Sequence, residues 1–190
     1  MYVLKKPTPA AWTDVVLASF DMLLIDHAHC ERKAAASAMT LVNQYPGHDL
    51  LVRRLSALAE EELRHFRAVH KLITARGLHL SRDRGDPYAQ KLVKCARTSD
   101  RERRTDRLLV SSLIEARSAE RLQLIADALS AGDLKEFYSQ LATAERGHYR
   151  LFVTLAEEYE DRNVVQARLL EVAALESAIM EELPIEPRIH

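Results

Sequence analysis

Along most of the chain, apolar residues return every three or four positions, and short polar breaks separate these stretches. No segment sustains the period-two alternation of a half-buried strand. The first helical stretch runs from about Trp12 to Gln44, with an early break near Asp21, and Tyr45-Pro-Gly-His48 ends it. Asp49 is placed to cap a second helix that reaches about Arg76, with Gly77 just past its end. A third spans about Asp100 to Leu129, and a fourth follows a cap at Asp133 and reaches Tyr159. A fifth, about Val164 to Leu183, stops at Pro184, and an extended tail follows. The long link from Leu78 to Ser99 holds one short helical piece around Tyr88 to Arg97. Connections that are short, long and short make helices one and two, and three and four, antiparallel hairpins. The expectation is an all-α single domain over residues 1–190: a four-helix core at about 12–159 with one long crossover, and an additional C-terminal helix at about 164–183.

The inward stripe of each helix follows from steps of three and four. Helix two gives Leu51, Leu55, Leu58, Glu62, His65, Val69 and Leu72. Helix four gives Leu134, Tyr138, Leu141, Glu145, His148, Phe152 and Leu155, class for class in the same phase. Helix one gives Phe20, Leu24, His27, Glu31, Ala34, Ala38 and Leu41. Helix three gives Leu108, Ser112, Glu115, Ala119, Leu122, Ala126 and Leu129. Every stripe is apolar until its middle, where it turns ionisable. The spacing repeats as well: Glu31 precedes Glu62 by 31 positions, and Glu115 precedes Glu145 by 30, a weak internal duplication of the hairpin.

Composition supports the helical reading, since only five Gly and six Pro interrupt a chain dominated by Ala, Leu, Glu and Arg. No apolar run is long enough to span a bilayer, and the first residues lack the apolar core of a signal peptide, so the expectation is a cytoplasmic protein without membrane contact. Cys30 and Cys95 are read as reduced thiols. Charge is uneven. Residues 76–107 carry ten Lys and Arg against five Asp and Glu, a net +5 in a chain whose overall charge is −1. Such a basic segment suits an anionic partner such as nucleic acid, or is a solvated charged link.

Uncompensated carboxylates in a helical core cost several kcal/mol or a large rise in pKa. Four at one level also repel one another. Two divalent cations match four carboxylates in charge, and two neutral imidazoles complete the set. Oxygen and nitrogen donors without thiolates suit iron or manganese. Glu-x-x-His is apt because residues three apart share a helical face. A lone motif of this kind is common by chance on charged helices. Two in matched phase, each on an apolar stripe behind a core glutamate, match the ferritin-like di-iron carboxylate pattern of Glu, Glu-x-x-His, Glu, Glu-x-x-His. The expected ligands are Glu31, Glu62, His65, Glu115, Glu145 and His148. Glu120 is an alternative to Glu115; the two lie about 140° apart around their helix and cannot share a face. His27, one turn before Glu31, is expected to support or pack against a ligand, and Cys30, Tyr45 and Tyr138 to pack.

The blocks Asp26-His-Ala-His-Cys-Glu-Arg-Lys-Ala-Ala35, Glu61-Glu-Leu-Arg-His-Phe66, Ile114-Glu-Ala-Arg-Ser-Ala-Glu-Arg121 and Glu145-Arg-Gly-His148 resemble those of the MiaE-type tRNA hydroxylases, as do Leu4-Lys-Lys-Pro-Thr8 and Trp12. That resemblance implies a ferritin-like fold and a non-haem di-iron monooxygenase with two iron ions, O2 as co-substrate and an external electron donor. It implies the isopentenyl group of 2-methylthio-N6-isopentenyladenosine, beside the tRNA anticodon, as substrate. Partners would be tRNA and an electron-transfer protein; the charge excess of residues 76–107, not the resemblance, places that segment against the anticodon arm. The stripes alone leave open another ferritin-like di-iron oxidase or peroxidase, or a ferroxidase.

Overall fold

The structure is a computed structural model that describes residues 3–190. Among these residues there are seven α-helices and no strand: α1 Ala11–Ala18, α2 Phe20–Gln44, α3 Asp49–Ala75, α4 Pro87–Val93, α5 Asp100–Ala128, α6 Asp133–Tyr159 and α7 Arg162–Glu182. The early break lies at Ser19, which separates α1 from α2. Gly77 has a φ of 72°, the left-handed conformation that terminates a helix at low cost for glycine. Two expected caps are corrected. His48 and Gly132, not Asp49 and Asp133, are the cap residues; the two aspartates begin their helices. Gly132 has a φ of 146°, which a side chain would resist, and each aspartate acts on the positive end of the helix dipole from the first turn. A cap that periodicity did not reveal is Asp161, whose carboxylate accepts from the backbone N–H of Asn163 and Val164 and starts α7. The crossover helix is shorter than expected. Asp86 caps it and Pro87 occupies its first turn.

The chain forms two compact units. One comprises Val16–Arg84 with Pro187–Ile189, and its body is the α2–α3 hairpin. The inward faces are Leu23, Leu24, Ala28, Ala35, Ala38 and Leu41 on α2, and Leu51, Leu55, Leu58, Val69 and Ile73 on α3. Ala35 and Ile73 are buried where the stripes named Ala34 and Leu72, one position away around each helix. The start of the crossover is fastened to α2. His29 Nε2 lies 2.8 Å from the Ser81 carbonyl oxygen, and Arg32 donates to Asp83 at 2.8 Å.

The other unit comprises residues up to Val15, Gly85–Glu186 and His190. Here α5 packs on α6, α7 and α4. It is therefore buried nearly all round, where its sequence suggested one inward stripe. Two buried ion-pair systems hold the unit. Asp106, fully buried, accepts from Arg97 at 2.8 Å and Arg168 at 2.9 Å, which ties the α4–α5 link and α7 to the start of α5. Burial pushes the Asp106 carboxyl up, but hydrogen bonds from the two guanidinium groups outweigh it and hold it below its ordinary value. Arg117, also fully buried, donates to Glu176 of α7 at 2.7 Å and to the Lys6 carbonyl at 3.0 Å, and pairs with Glu120. Tyr88 of α4 donates to the same Glu176 oxygen at 3.1 Å. Arg121 stacks its guanidinium over Trp12 of α1, 4.9 Å from the ring centroid.

Removing one partner from a fully buried pair leaves an uncompensated charge, so Arg117→Ala is expected to cost about 3–5 kcal/mol of stability. Urea unfolding monitored by circular dichroism tests this. The double variant Arg117→Met with Glu176→Leu, which removes both charges and keeps apolar volume, is expected to lose much less than the single change.

Candidate metal centre

In the α2–α3 unit, the helices bring three of the expected ligands together. Glu31, Glu62 and His65 each offer a donor atom within 4.8 Å of the others. Glu62 is fully buried and Glu31 is 4% exposed, while His65 is partly exposed. His65 Nδ1 lies 3.4 Å from Glu62 Oε2 and 3.6 Å from Glu31 Oε2. The three-residue spacing sets the first contact, because Glu62 and His65 stack on one face of α3. The second depends on hairpin register, which sets Glu31 of α2 opposite the motif. His65 Nε2 faces the partly exposed Glu61 at 4.0 Å, beyond a direct hydrogen bond.

The α5–α6 hairpin of the other unit carries the same arrangement. Glu115, Glu145 and His148 each offer a donor atom within 4.8 Å of the others, and all three are buried. His148 Nδ1 lies 3.2 Å from Glu145 Oε2. In both motifs the same ring nitrogen faces the carboxylate three residues earlier. Glu120 is oriented elsewhere: its oxygens accept from the Thr8 backbone N–H at 3.0 Å and hydroxyl at 2.7 Å, and it pairs with Arg117. Tyr138 is fully buried and meets Phe137 edge to face, and Cys30 lies 3.7 Å from Asp26 Oδ2. Neither stands in the described triads.

Electrostatics explains how the carboxylates of the first triad are held together. Burial alone would push the Glu31 carboxyl up. The hydrogen bond from His27, with the His65 imidazole close by, outweighs burial and holds it well below the usual carboxylate range. Burial likewise pulls His65 down, but the Glu31 and Glu62 carboxylates beside it push it up to about 10. A proton on His65 thus acts as the positive charge between two buried carboxylates. A divalent cation fits that position, with oxygen and nitrogen donors and no thiolate. It would displace the proton, as metals displace protons from their ligands.

Two residues of functional interest escaped the stripes. Arg117 is one, because it sits between two candidate glutamates and decides the orientation of Glu120. Glu176 is the other: it lies on the apolar stripe of α7, just as Glu62 lies on that of α3, yet serves an ion pair. A signal for it did exist, because Glu176 has no histidine three positions on; residue 179 is Ile.

In the metal-free protein, His65 is expected to stay protonated until about pH 10. Because its folded pKa lies above the ordinary 6.5, its contribution to stability is complete below pH 6.5 and is lost as pH rises through about 10. Imidazole nitrogen shifts in NMR spectra report the midpoint, and Glu62→Gln, which removes one of the two carboxylates, is expected to lower it.

Known proteins are similar to this chain along nearly its whole length. The family described as tRNA-(ms2io6A)-hydroxylase (MiaE) matches residues 1–190. A Pseudomonas putida protein named tRNA 2-(methylsulfanyl)-N(6)-isopentenyladenosine(37) hydroxylase is 37% identical over 185 residues, covering 97% of this chain and 89% of that protein. A Salmonella typhimurium protein of the same name is 27% identical over 235 residues, covering 97% of this chain and 86% of its own. Among solved structures, "Protein 43 with aldehyde deformylating oxygenase activity" from Synechococcus is 37% identical, covers all of this chain and 96% of its own, and superposes with a TM-score of 0.94. The fold is all-α and ferritin-like, as is that neighbour's. With a family match from end to end, the chain belongs to the MiaE family of tRNA hydroxylases.

Proposed function

We propose that this chain is a non-haem di-iron monooxygenase that hydroxylates the isopentenyl group of 2-methylthio-N6-isopentenyladenosine beside the tRNA anticodon, acting in the cytoplasm. The observation that carries the reading is the match to the MiaE family over the whole chain, with both Glu, Glu-x-x-His sets intact. On this reading the whole chain is one ferritin-like domain. Its two triads, Glu31, Glu62 and His65 with Glu115, Glu145 and His148, would hold two irons. Glu115 is the fourth carboxylate in preference to Glu120, which Arg117 and Thr8 already engage.

When bound, the irons supply reductive activation of O2 and insertion of one oxygen atom into a C–H bond. The overall change is R–H, O2, two electrons and two protons going to R–OH and water. The electrons come from an external donor protein. The chain's own residues perform the rest. Four carboxylates balance the charge of two divalent cations, and burial of all of them keeps bulk water away. His65 and His148 turn Nδ1 toward their carboxylates and coordinate in the neutral form, so metal uptake releases the His65 proton.

Substrate docking narrows to a few cations. Within the basic segment, Arg76, Lys91, Arg97 and Arg101 are committed to Asp21, Glu182, Asp106 and Glu160. Arg82, Arg84, Lys94 and Arg103 are exposed and carry no ion pair among the described residues. We assign these four to the phosphates of the anticodon arm. One observation favours a second reading: the Synechococcus neighbour is named for an aldehyde deformylating oxygenase activity, so a small-molecule oxygenase is the alternative.

Nucleoside analysis of tRNA from a deletion strain separates the two. Loss of the hydroxylated prenyl nucleoside, restored by this chain but not by Glu62→Ala with His65→Ala, is the expected result; an unchanged nucleoside profile favours the aldehyde reading. Metal analysis of the purified protein is expected to give two irons per chain, and about half or less in that double variant. Reversing Arg82, Arg84 and Arg103 to Glu is expected to weaken tRNA binding at least about tenfold near physiological salt, and to flatten its salt dependence by roughly one unit of slope for each phosphate no longer neutralised. Filter binding across a salt series measures both.

A further inference from the structure

His27 is a buried histidine, 1% exposed, that belongs to neither triad. It lies on α2 one turn before Glu31, and its Nε2 is 2.7 Å from Glu31 Oε1. A carboxylate only accepts, so Nε2 carries the proton and donates. The other Glu31 oxygen faces a different imidazole: Oε2 lies 3.6 Å from His65 Nδ1, the nitrogen that also faces Glu62. The two oxygens of one glutamate are thus divided between two histidines, one on its own helix and one in the triad. At the matching position of the second hairpin the sequence has no histidine. The residue one turn before Glu115 is Ser111, and the next, Ser112, donates to the Leu109 carbonyl of its own helix at 2.7 Å.

We propose that His27 is a positioning residue: by holding Oε1, it presents Glu31 to the metal through Oε2 alone, and it makes the iron beside His65 distinct from the iron beside His148. The proposal rests on the di-iron reading above. A carboxylate with both oxygens available can swing between one-oxygen and two-oxygen binding; one with an oxygen engaged by a buried donor is restrained. Hydrogen-bonded partners of metal ligands of this kind are worth about 10–100-fold in metal affinity.

The test is anaerobic Fe(II) titration of wild type, His27→Leu, His27→Gln and Glu31→Gln, with circular dichroism melting of each metal-free protein and absorption spectra of the Co(II)-substituted forms. Wild type is expected to bind two Fe(II). His27→Leu, which keeps the volume and removes the donor, is expected to weaken one of the two sites by about 10–100-fold, leave the other unchanged and shift the Co(II) bands of the weakened site. His27→Gln, whose amide N–H can reach Glu31 along the same face, is expected to recover most of that affinity. Wild-type affinity and spectra in His27→Leu overturn the proposal, as does equal weakening in the Leu and Gln variants, which would make His27 a packing residue. A wild type that binds fewer than two metal ions overturns the di-iron reading instead. Glu31→Gln marks which site is affected.

Discussion

A carboxylate buried among helices must find a positive charge, and this constraint organises the protein. Six carboxylates with little or no exposure illustrate it: Glu31, Glu62, Glu115, Glu145, Glu176 and Asp106. The chain meets the constraint in two ways. Glu176 and Asp106 receive arginines, which are permanently charged and hold their fork geometry. The glutamates of the hairpins lie beside imidazoles instead, His65 between Glu31 and Glu62 and His148 beside Glu145. An arginine closes its carboxylate to other cations. A histidine leaves it exchangeable, and that difference separates the structural acids from those able to take a metal.

Helix α5 shows how both solutions share one element. One side brings Glu115 to the Glu145–His148 motif of α6. Another sends Arg117 to Glu176 of α7 and to the N-terminal segment at Lys6 and Thr8. Burial all round follows, and it accounts for an average hydropathy on α5 that understates how deeply the helix is packed. The segment before α1 and the helix after α6, both beyond the four-helix core, are therefore fastened to the helix that carries a candidate ligand. Ligand placement on α5 depends on that anchoring, since residues at neighbouring positions serve different partners.

Legibility in the sequence varied with the range of the interaction. The five long helices, the short crossover helix, Gly77 as a terminator and an early break in the first helical stretch followed from local periodicity and punctuation, which depend on residues within one or two turns. The E-x-x-H contacts followed for the same reason, and so did the proximity of His27 to Glu31. The cap assignments at Asp49 and Asp133 missed by one residue because aspartate stabilises a first turn nearly as well as a cap position. Glu115 and Glu120 could be weighed only by spacing until Arg117 and Thr8 were seen around Glu120. The basic excess of residues 76–107 was countable, but which cations remain uncommitted was not, because Asp21, Glu160 and Glu182 lie far away in sequence.

The helices, the ionisable centre of each stripe and the family blocks can be read from the chain alone, because all three are written in residue type and spacing. The tertiary structure alone decided that Glu176 belongs to an arginine while Glu62 faces a histidine, that Glu120 turns toward Thr8, and that His27 and His65 divide the oxygens of Glu31. Those choices depend on which side chains from distant segments reach the same buried carboxylate, and spacing along one helix cannot encode that.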